Sequence, residues 1–237
     1  MQQHPQHPIV SREAWLEARA KLLAKEKAAT RAYDALSAEQ RALPWVKIEK
    51  DYVFDGPSGP VTLSQLFDGK SQLFTKTFML QPGQTHQCVG CSLEVDHVAG
   101  LLEHLANNDV AYAVIARAPI AEIEAMRQRM GWRFTWVSSF HNDFAKDIEQ
   151  GAGIGAALSG NNVFYKDESG QIFHTYATYD RGGEAFLGIY RIFDLMPKGR
   201  NENVHHSLGD WARPRNLYGK GGTVAANGEY HPGANPA

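Results

Sequence analysis

Cysteine is nearly absent from this chain, with two among 237 residues, Cys88 and Cys91. Two cannot staple a chain of this length into a disulfide scaffold, which leaves reactive or metal-binding roles for them. Long apolar runs are missing as well. No segment approaches the roughly 20 residues that a membrane-spanning helix needs, so no membrane partner is expected. An excess of one charge sign is also lacking. Twenty-four Lys and Arg against 26 Asp and Glu leave a formal charge of −2, which gives no general attraction to nucleic acid or an anionic surface. The opening MQQHPQHPIVSREAW has no basic segment followed by an apolar core. It does not read as a secretory leader, and a cytoplasmic location is expected. The Gly-rich stretch 150–162 lacks both a Gly-Lys-Ser/Thr ending and Gly-x-Gly-x-x-Gly spacing, so it reads as a connection rather than a phosphate loop.

What is present suits a globular domain with extensions. The 43% hydrophobic content is enough to build a core. Residues 1–44 form an N-terminal arm and helices. Pro5 and Pro8 mark a draped start, and apolar positions at Trp15, Leu16, Leu22, Leu23 and Tyr33 give a helix over 11–35 with Ser11 as its N-cap. A second short helix is expected from the capping box at Ser37 until Pro44 stops it. Residues 45–197 carry the domain. Two short β runs lie between Trp45 and Phe54, and Val61 to Phe67 reads as a strand end feeding a helical turn. Leu73–Met79 is a buried strand, followed by a helix from the cysteines to Asn107. Val110–Ala116 is continuously apolar, the pattern of a parallel strand covered on both faces. A helix at 119–130, a short strand at 134–137, a hairpin over 163–178 and a helix at 183–193 follow. Residues 198–237 are an irregular tail in which Trp211, Leu217, Tyr218 and Tyr230 favour docking.

The element order is β-α-β…β-β-α, with Cys-Val-Gly-Cys between the first core strand and its helix. It predicts an α/β fold: a thioredoxin-like mixed β-sheet flanked by helices, with a right-handed crossover joining the first parallel pair. The segments FTKTFML…CVGC, AYAVIARAP, RMGWRFTWVSS, VFYKDESGQIFHTYATYDRG and DLMPKGRNE are similar to a bacterial thioredoxin-like family of unknown function, from about Trp45 to Arg200. Its members are described as predicted dithiol-disulfide oxidoreductases. The resemblance implies thiol-disulfide exchange at Cys88 and Cys91, with a protein or small-molecule thiol or disulfide as substrate. Two departures from thioredoxin stand out. No proline precedes the hairpin, where Asn161-Asn162 falls, and Gln87 replaces the usual Trp before the first cysteine.

The residues point to the same place. A thiol at the first turn of a helix meets unpaired N–H groups and the positive end of the helix dipole, which favour its thiolate. Cys88, expected to be exposed, would attack, Cys91 would resolve the mixed disulfide, and His86 would tune the thiolate. Such exchange requires no cofactor. The alternative is a copper- or zinc-binding site on Cys88, Cys91 and a histidine. His174 is the leading third ligand; His86, His97, His104 and His141 are the others, with His205-His206 available only if the tail folds back. A third reading is a redox-inert interaction module built from the N-terminal helices and tail, elements that also suit a homodimer. Weaker constellations are Ser138-Ser139 with His141 as a local nucleophile and base, Arg117 as an anion holder, and Glu94 and Asp96 as solvated or supporting carboxylates. Trp132, Phe134 and Trp136 read as core.

Overall fold

Ser11 accepts a hydrogen bond from the Ala14 amide through its Oγ and starts α1, Arg12–Arg41. The expected break at Ser37 does not occur. Tyr33-Asp-Ala-Leu-Ser-Ala-Glu-Gln contains no residue that disrupts a helix, so one 30-residue helix runs on until the approach to Pro44. Ion pairs Lys21–Glu17 at 2.7 Å and Arg19–Glu26 at 2.8 Å lie along it. None of its residues is buried, and Trp15, Leu22, Leu23 and Tyr33 are exposed.

This is a computed structural model. It describes residues 7–84, 86–150, 159–200, 212–224 and 230–231. The chain divides into two units, Met1–Trp45, which holds α1, and Val46–Ala237. Pro5, residues 151–158 of the Gly-rich stretch, His205-His206 and Trp211 lie outside the described residues.

The second unit is built on an eight-stranded mixed sheet in the order β1-β8-β7-β4-β5-β6-β2-β3. Its strands are β1 Val46–Lys47, β2 Val53–Gly56, β3 Gly59–Thr62, β4 Gln72–Thr77, β5 Val110–Ala116, β6 Thr135–Ser138, β7 Gly160–Lys166 and β8 Ile172–Tyr179. Strands β4, β5 and β6 are parallel; β7 joins β4 antiparallel and forms a hairpin with β8. Helix α2, Val89–Val98, follows β4, and α4, Ile120–Met130, follows β5. The chain therefore carries the thioredoxin-like arrangement: a β-α-β unit, an antiparallel hairpin on the other side of the first strand, and a dithiol at the start of the first helix. Strand β6 and the β2–β3 hairpin widen the sheet beyond that core.

Burial follows the pleat of β5. Tyr112, Val114 and Ala116 belong to one apolar cluster with Cys88, Cys91, Val95, Trp132, Phe134 and Trp136. Ala111, Ala113 and Ile115 belong to the cluster on the other face, with Phe54, Phe67, Leu73, Phe144 and Phe164. A strand covered on both sides has no polar face, which is why the run reads as continuously apolar.

Two expected helices differ in detail. The helix after the cysteines ends at Val98 and resumes as α3, Leu102–Asn107, with Gly100 in the interruption. The expected final helix splits into a 3₁₀ segment, Asp180–Phe186, and α5, Gly188–Leu195, because Gly182 and Gly183 offer neither side-chain packing nor helix propensity. A two-stranded ribbon, β9 Thr223–Val224 and β10 Tyr230–His231, lies in the tail. Among the described residues no helix is long and apolar enough to cross a membrane.

Candidate active site

Strand β4 ends at Thr77 and delivers the chain to Cys88, which is the N-cap of α2. The Cys88 Sγ accepts from the Cys91 amide at 3.3 Å, taking the place of the usual Ser or Asp oxygen. Both cysteines are free thiols and their sulfurs are 2.9 Å apart. Against the expectation of an exposed Cys88, it is 5% exposed and Cys91 2%. The start of α2 is held by Gln87, whose Nε2 donates to Ser92 Oγ at 2.8 Å and whose Oε1 accepts from Arg129 at 3.1 Å. Ser92 Oγ in turn donates to the Cys88 carbonyl at 2.7 Å. The residue that stands in for the thioredoxin Trp is thus a buried brace.

Sequence reasoning missed the group that dominates the electrostatics. Lys76, next to the last residue of β4, is buried, and its Nζ lies 2.7 Å from Glu94 Oε2 on α2 and donates to Ser159 Oγ at 2.9 Å. Their side chains are 2% and 7% exposed, so Glu94 is no solvated carboxylate. The signal was a lone lysine inside the apolar run Leu-Phe-Thr-Lys-Thr-Phe-Met. Burial alone would strip Lys76 of its proton, but the charges of Glu94 and Cys91 outweigh that cost and hold it above the ordinary lysine value.

The pair of thiols titrates around this cation. Desolvation pushes Cys91 up; the hydrogen bond from Cys88, the charge of Lys76, the Met79 amide at 3.5 Å and Ser159 Oγ at 3.4 Å together pull it down to about 6. Cys88 donates to Cys91 and is desolvated, so it is raised well above the ordinary thiol value. One proton is shared between two sulfurs, and the charge rests on Cys91. Ser159 stands just before β7 and touches both Cys91 and Lys76.

A cavity of about 170 Å³ opens beside the dithiol, lined by Lys76, Cys88, Cys91, Glu94, Asn161 and Gly183 among others. Register pairs Asn161 directly with Lys76, which puts both side chains on the α2 face. Gly183 allows a close approach: a Cβ there would lie 3.3 Å from Glu94 Oε2 and 3.6 Å from Asn161 Nδ2.

The histidines are distributed differently from the metal-binding expectation. His174 stacks on Phe164, ring centroids 4.9 Å apart, in the cluster on the opposite face of the sheet from the cysteines, and burial lowers its pKa. The pleat of β8 puts it there, away from Cys88 and Cys91. His97 has its Nδ1 2.6 Å from the Leu93 carbonyl and accepts the Ile189 amide at 3.1 Å through Nε2, joining α2 to α5. His104 is exposed on α3. His141 pairs with Asp55 at 2.7 Å on the surface, while Ser138 and Ser139 donate to the carbonyls of Ala118 and Ala116. That constellation is structural. His86 lies two residues before Cys88, with its carbonyl accepting from Gln84 at 3.0 Å. Among the described residues no three His, Cys, Asp or Glu side chains converge as metal ligands. Asp96 accepts from Trp132 Nε1 at 2.7 Å, and desolvation raises its pKa.

Solved structures similar to this chain include a candidate protein disulfide isomerase from Bacteroides thetaiotaomicron, at 20% identity over 66% of this chain and 95% of that one, with a TM-score of 0.40. The peroxidoxin BcpB of Mycobacterium tuberculosis aligns at 14% identity over 63% of this chain and 97% of its own, with a TM-score of 0.41. A secreted disulfide oxidoreductase of Mycobacterium tuberculosis aligns at 17% identity over 58% and 92%, with a TM-score of 0.35. No curated protein matches the sequence. The profile of one bacterial protein family of unknown function, DUF899, matches residues 4–218.

Proposed function

Because the chain belongs to the bacterial family of unknown function DUF899, whose description assigns no chemistry, we propose a function from the site itself: thiol-disulfide oxidoreduction by the Cys88–Cys91 dithiol. The observation that carries it is the 2.9 Å approach of two free sulfurs at a helix start, beside a buried lysine. That arrangement holds a thiolate near neutral pH and a second thiol in line to complete a disulfide.

The attack is placed on Cys91, whose Sγ meets the Cys88 thiol, the Met79 amide and Ser159 Oγ, where the sequence reading placed it on Cys88. The Cys91 thiolate displaces one half of a substrate disulfide, forming a mixed disulfide as the substrate's S–S bond breaks. The departing thiolate takes a proton from water. Cys88 then loses its proton and attacks Cys91 Sγ, releasing the reduced substrate and leaving the Cys88–Cys91 disulfide. The reverse sequence oxidises a substrate dithiol. Lys76 stabilises the anion at each stage, and Glu94 keeps the lysine charged in a place where burial alone would neutralise it.

Equilibration with dithiothreitol redox buffers, followed by quenching and thiol counting, tests this. Two thiols should disappear together in a reversible two-electron transition. Cys88→Ser and Cys91→Ser should each abolish it. A folded protein that keeps both thiols under oxidising buffer overturns the reading.

A further inference from the structure

The two sulfurs are deeply buried, and that restricts what can reach them. We propose that the cavity beside the dithiol binds hydrogen peroxide or a similarly small hydroperoxide, which Cys91 reduces and Cys88 resolves. The inference rests on the dithiol reading above and narrows its oxidising substrate.

Size is the first argument. A volume of about 170 Å³ is well above the roughly 10–15 Å³ that one water needs on the same measure, so a two-oxygen guest fits beside the sulfurs. A protein disulfide or a tripeptide disulfide has to bring a sulfur and its flanking chain to Cys91, which is 2% exposed. A hydroperoxide brings two oxygens.

The second argument is hydrogen bonding. Among the described residues, Glu94 Oε1 and both side-chain polar atoms of Asn161 are buried without a partner. Asn161 is 1% exposed and Glu94 5%. Each buried polar atom left unpaired costs on the order of 1–3 kcal/mol, so the site is arranged for a guest that supplies the missing partners. Two of the three orphans accept and one donates. A hydroperoxide matches this, with a donor O–H and acceptor lone pairs on adjacent atoms. A carboxylate, acceptor-only, would face Glu94 with like charge.

Chemistry is the third. The Cys91 thiolate attacks the terminal oxygen; an S–O bond forms, the O–O bond breaks, and the leaving oxygen takes a proton from the Lys76 ammonium. Lys76 recovers from water the proton that Cys91 released on ionising. Cys88 then attacks Cys91 Sγ, forming the disulfide, and its proton leaves with hydroxide as water. Two thiols and one peroxide become one disulfide and two waters, or one water and one alcohol. Gly183 leaves the space in which the guest can reach Glu94 and Asn161.

The test is the rate at which the reduced full-length protein reacts with hydrogen peroxide, followed by thiolate absorbance, with each rate divided by the thiolate fraction from that protein's own titration. The wild type should exceed free cysteine, corrected in the same way, by about 100-fold or more, the scale of a positioned proton donor. Cys88→Ser should halt with one added oxygen on Cys91, trapped by a sulfenic-acid reagent. Gly183→Ala and Asn161→Leu should each lose at least about tenfold in the corrected rate. A wild-type rate equal to that of free cysteine overturns the inference, and so do unchanged rates in both cavity variants. If redox buffer forms the Cys88–Cys91 disulfide while peroxide reacts no faster than with free cysteine, this inference falls and the dithiol reading stands. If neither oxidant forms the disulfide, both fall.

Discussion

Lys76 and Glu94 meet at 2.7 Å with almost no solvent on either side chain. Of everything around the dithiol, this contact sets the charge balance most directly. A buried ion pair adds little net stability, but removing one member leaves the other uncompensated. The pair can therefore be perturbed from either side.

Lys76→Met removes the cation from the thiols. The first ionisation of the dithiol should rise from about 6 toward the ordinary value of about 8.5, read as thiolate absorbance against pH. Glu94→Gln removes the anion that holds the buried lysine charged and should also move the midpoint up, by less than Lys76→Met, because the thiolate itself still favours the ammonium. The lysine variant should also lose about 3–5 kcal/mol of stability in urea, because Glu94 is left buried and unpaired. Equal midpoints in the three proteins would remove Lys76 from the account. His86→Ala should move neither midpoint nor stability by a comparable amount.

The two cysteines should titrate unequally when separated. In Cys88→Ser the serine hydroxyl can still donate to Cys91, so the remaining thiol should stay within about one unit of the native midpoint, a difference of roughly 1.4 kcal/mol. In Cys91→Ser the remaining Cys88 thiol loses the anion it donates to and stays desolvated, so its midpoint should lie at or above that of a free thiol. The reverse order would place the resting charge on Cys88.

Stability should follow pH in a defined window. Cys91 has a folded-state value near 6, below the roughly 8.5 of an unfolded thiol. Between these values unfolding takes up a proton, so the stability of the reduced protein rises with pH by a few kcal/mol, and is lost as pH falls through 6. Cys88 is shifted the other way, so above the unfolded value stability should decline again. Urea titrations of the reduced protein from pH 5 to 10 should trace this maximum. The disulfide form, with no thiol to titrate, should lack it, and a reduced protein with a flat profile would contradict the shifts.

His97 bridges α2 and α5 through the Leu93 carbonyl and the Ile189 amide. His97→Ala leaves that amide without its acceptor and should cost about 1–3 kcal/mol. The dithiol midpoint should stay in place. A midpoint shift without a stability loss would give His97 an electrostatic role instead.

Much of the fold was legible because its strongest signals are periodic. Val110–Ala116 is apolar at every position since both pleat faces are covered, and its boundaries match the observed strand. The dithiol at a helix start was legible for a local reason, the Cys-x-x-Cys spacing after an apolar strand. Lys76 and its pairing with Glu94 escaped notice because a buried ion pair joins residues far apart in sequence, and neither partner reveals the other. His174 misled because a hairpin's proximity to a site says nothing of which way the pleat turns. The expected break at Ser37 failed since a capping box starts a helix only where something has stopped the previous one. Asn161 and Ser159 became informative only once the β4–β7 register set them against Lys76 and Cys91.

Cys88 has two duties at once, since the sulfur that changes its covalent bonding is also the acceptor that caps α2. Oxidation state and folding therefore form the sides of one closed thermodynamic cycle. Whatever stability the folded chain gains or loses on forming the disulfide must reappear as a shift of its reduction potential relative to the unfolded peptide, at about 30 mV for each 1.4 kcal/mol. Two denaturation curves, one per oxidation state, would thus measure how strongly the fold biases its own electrons, with no substrate present.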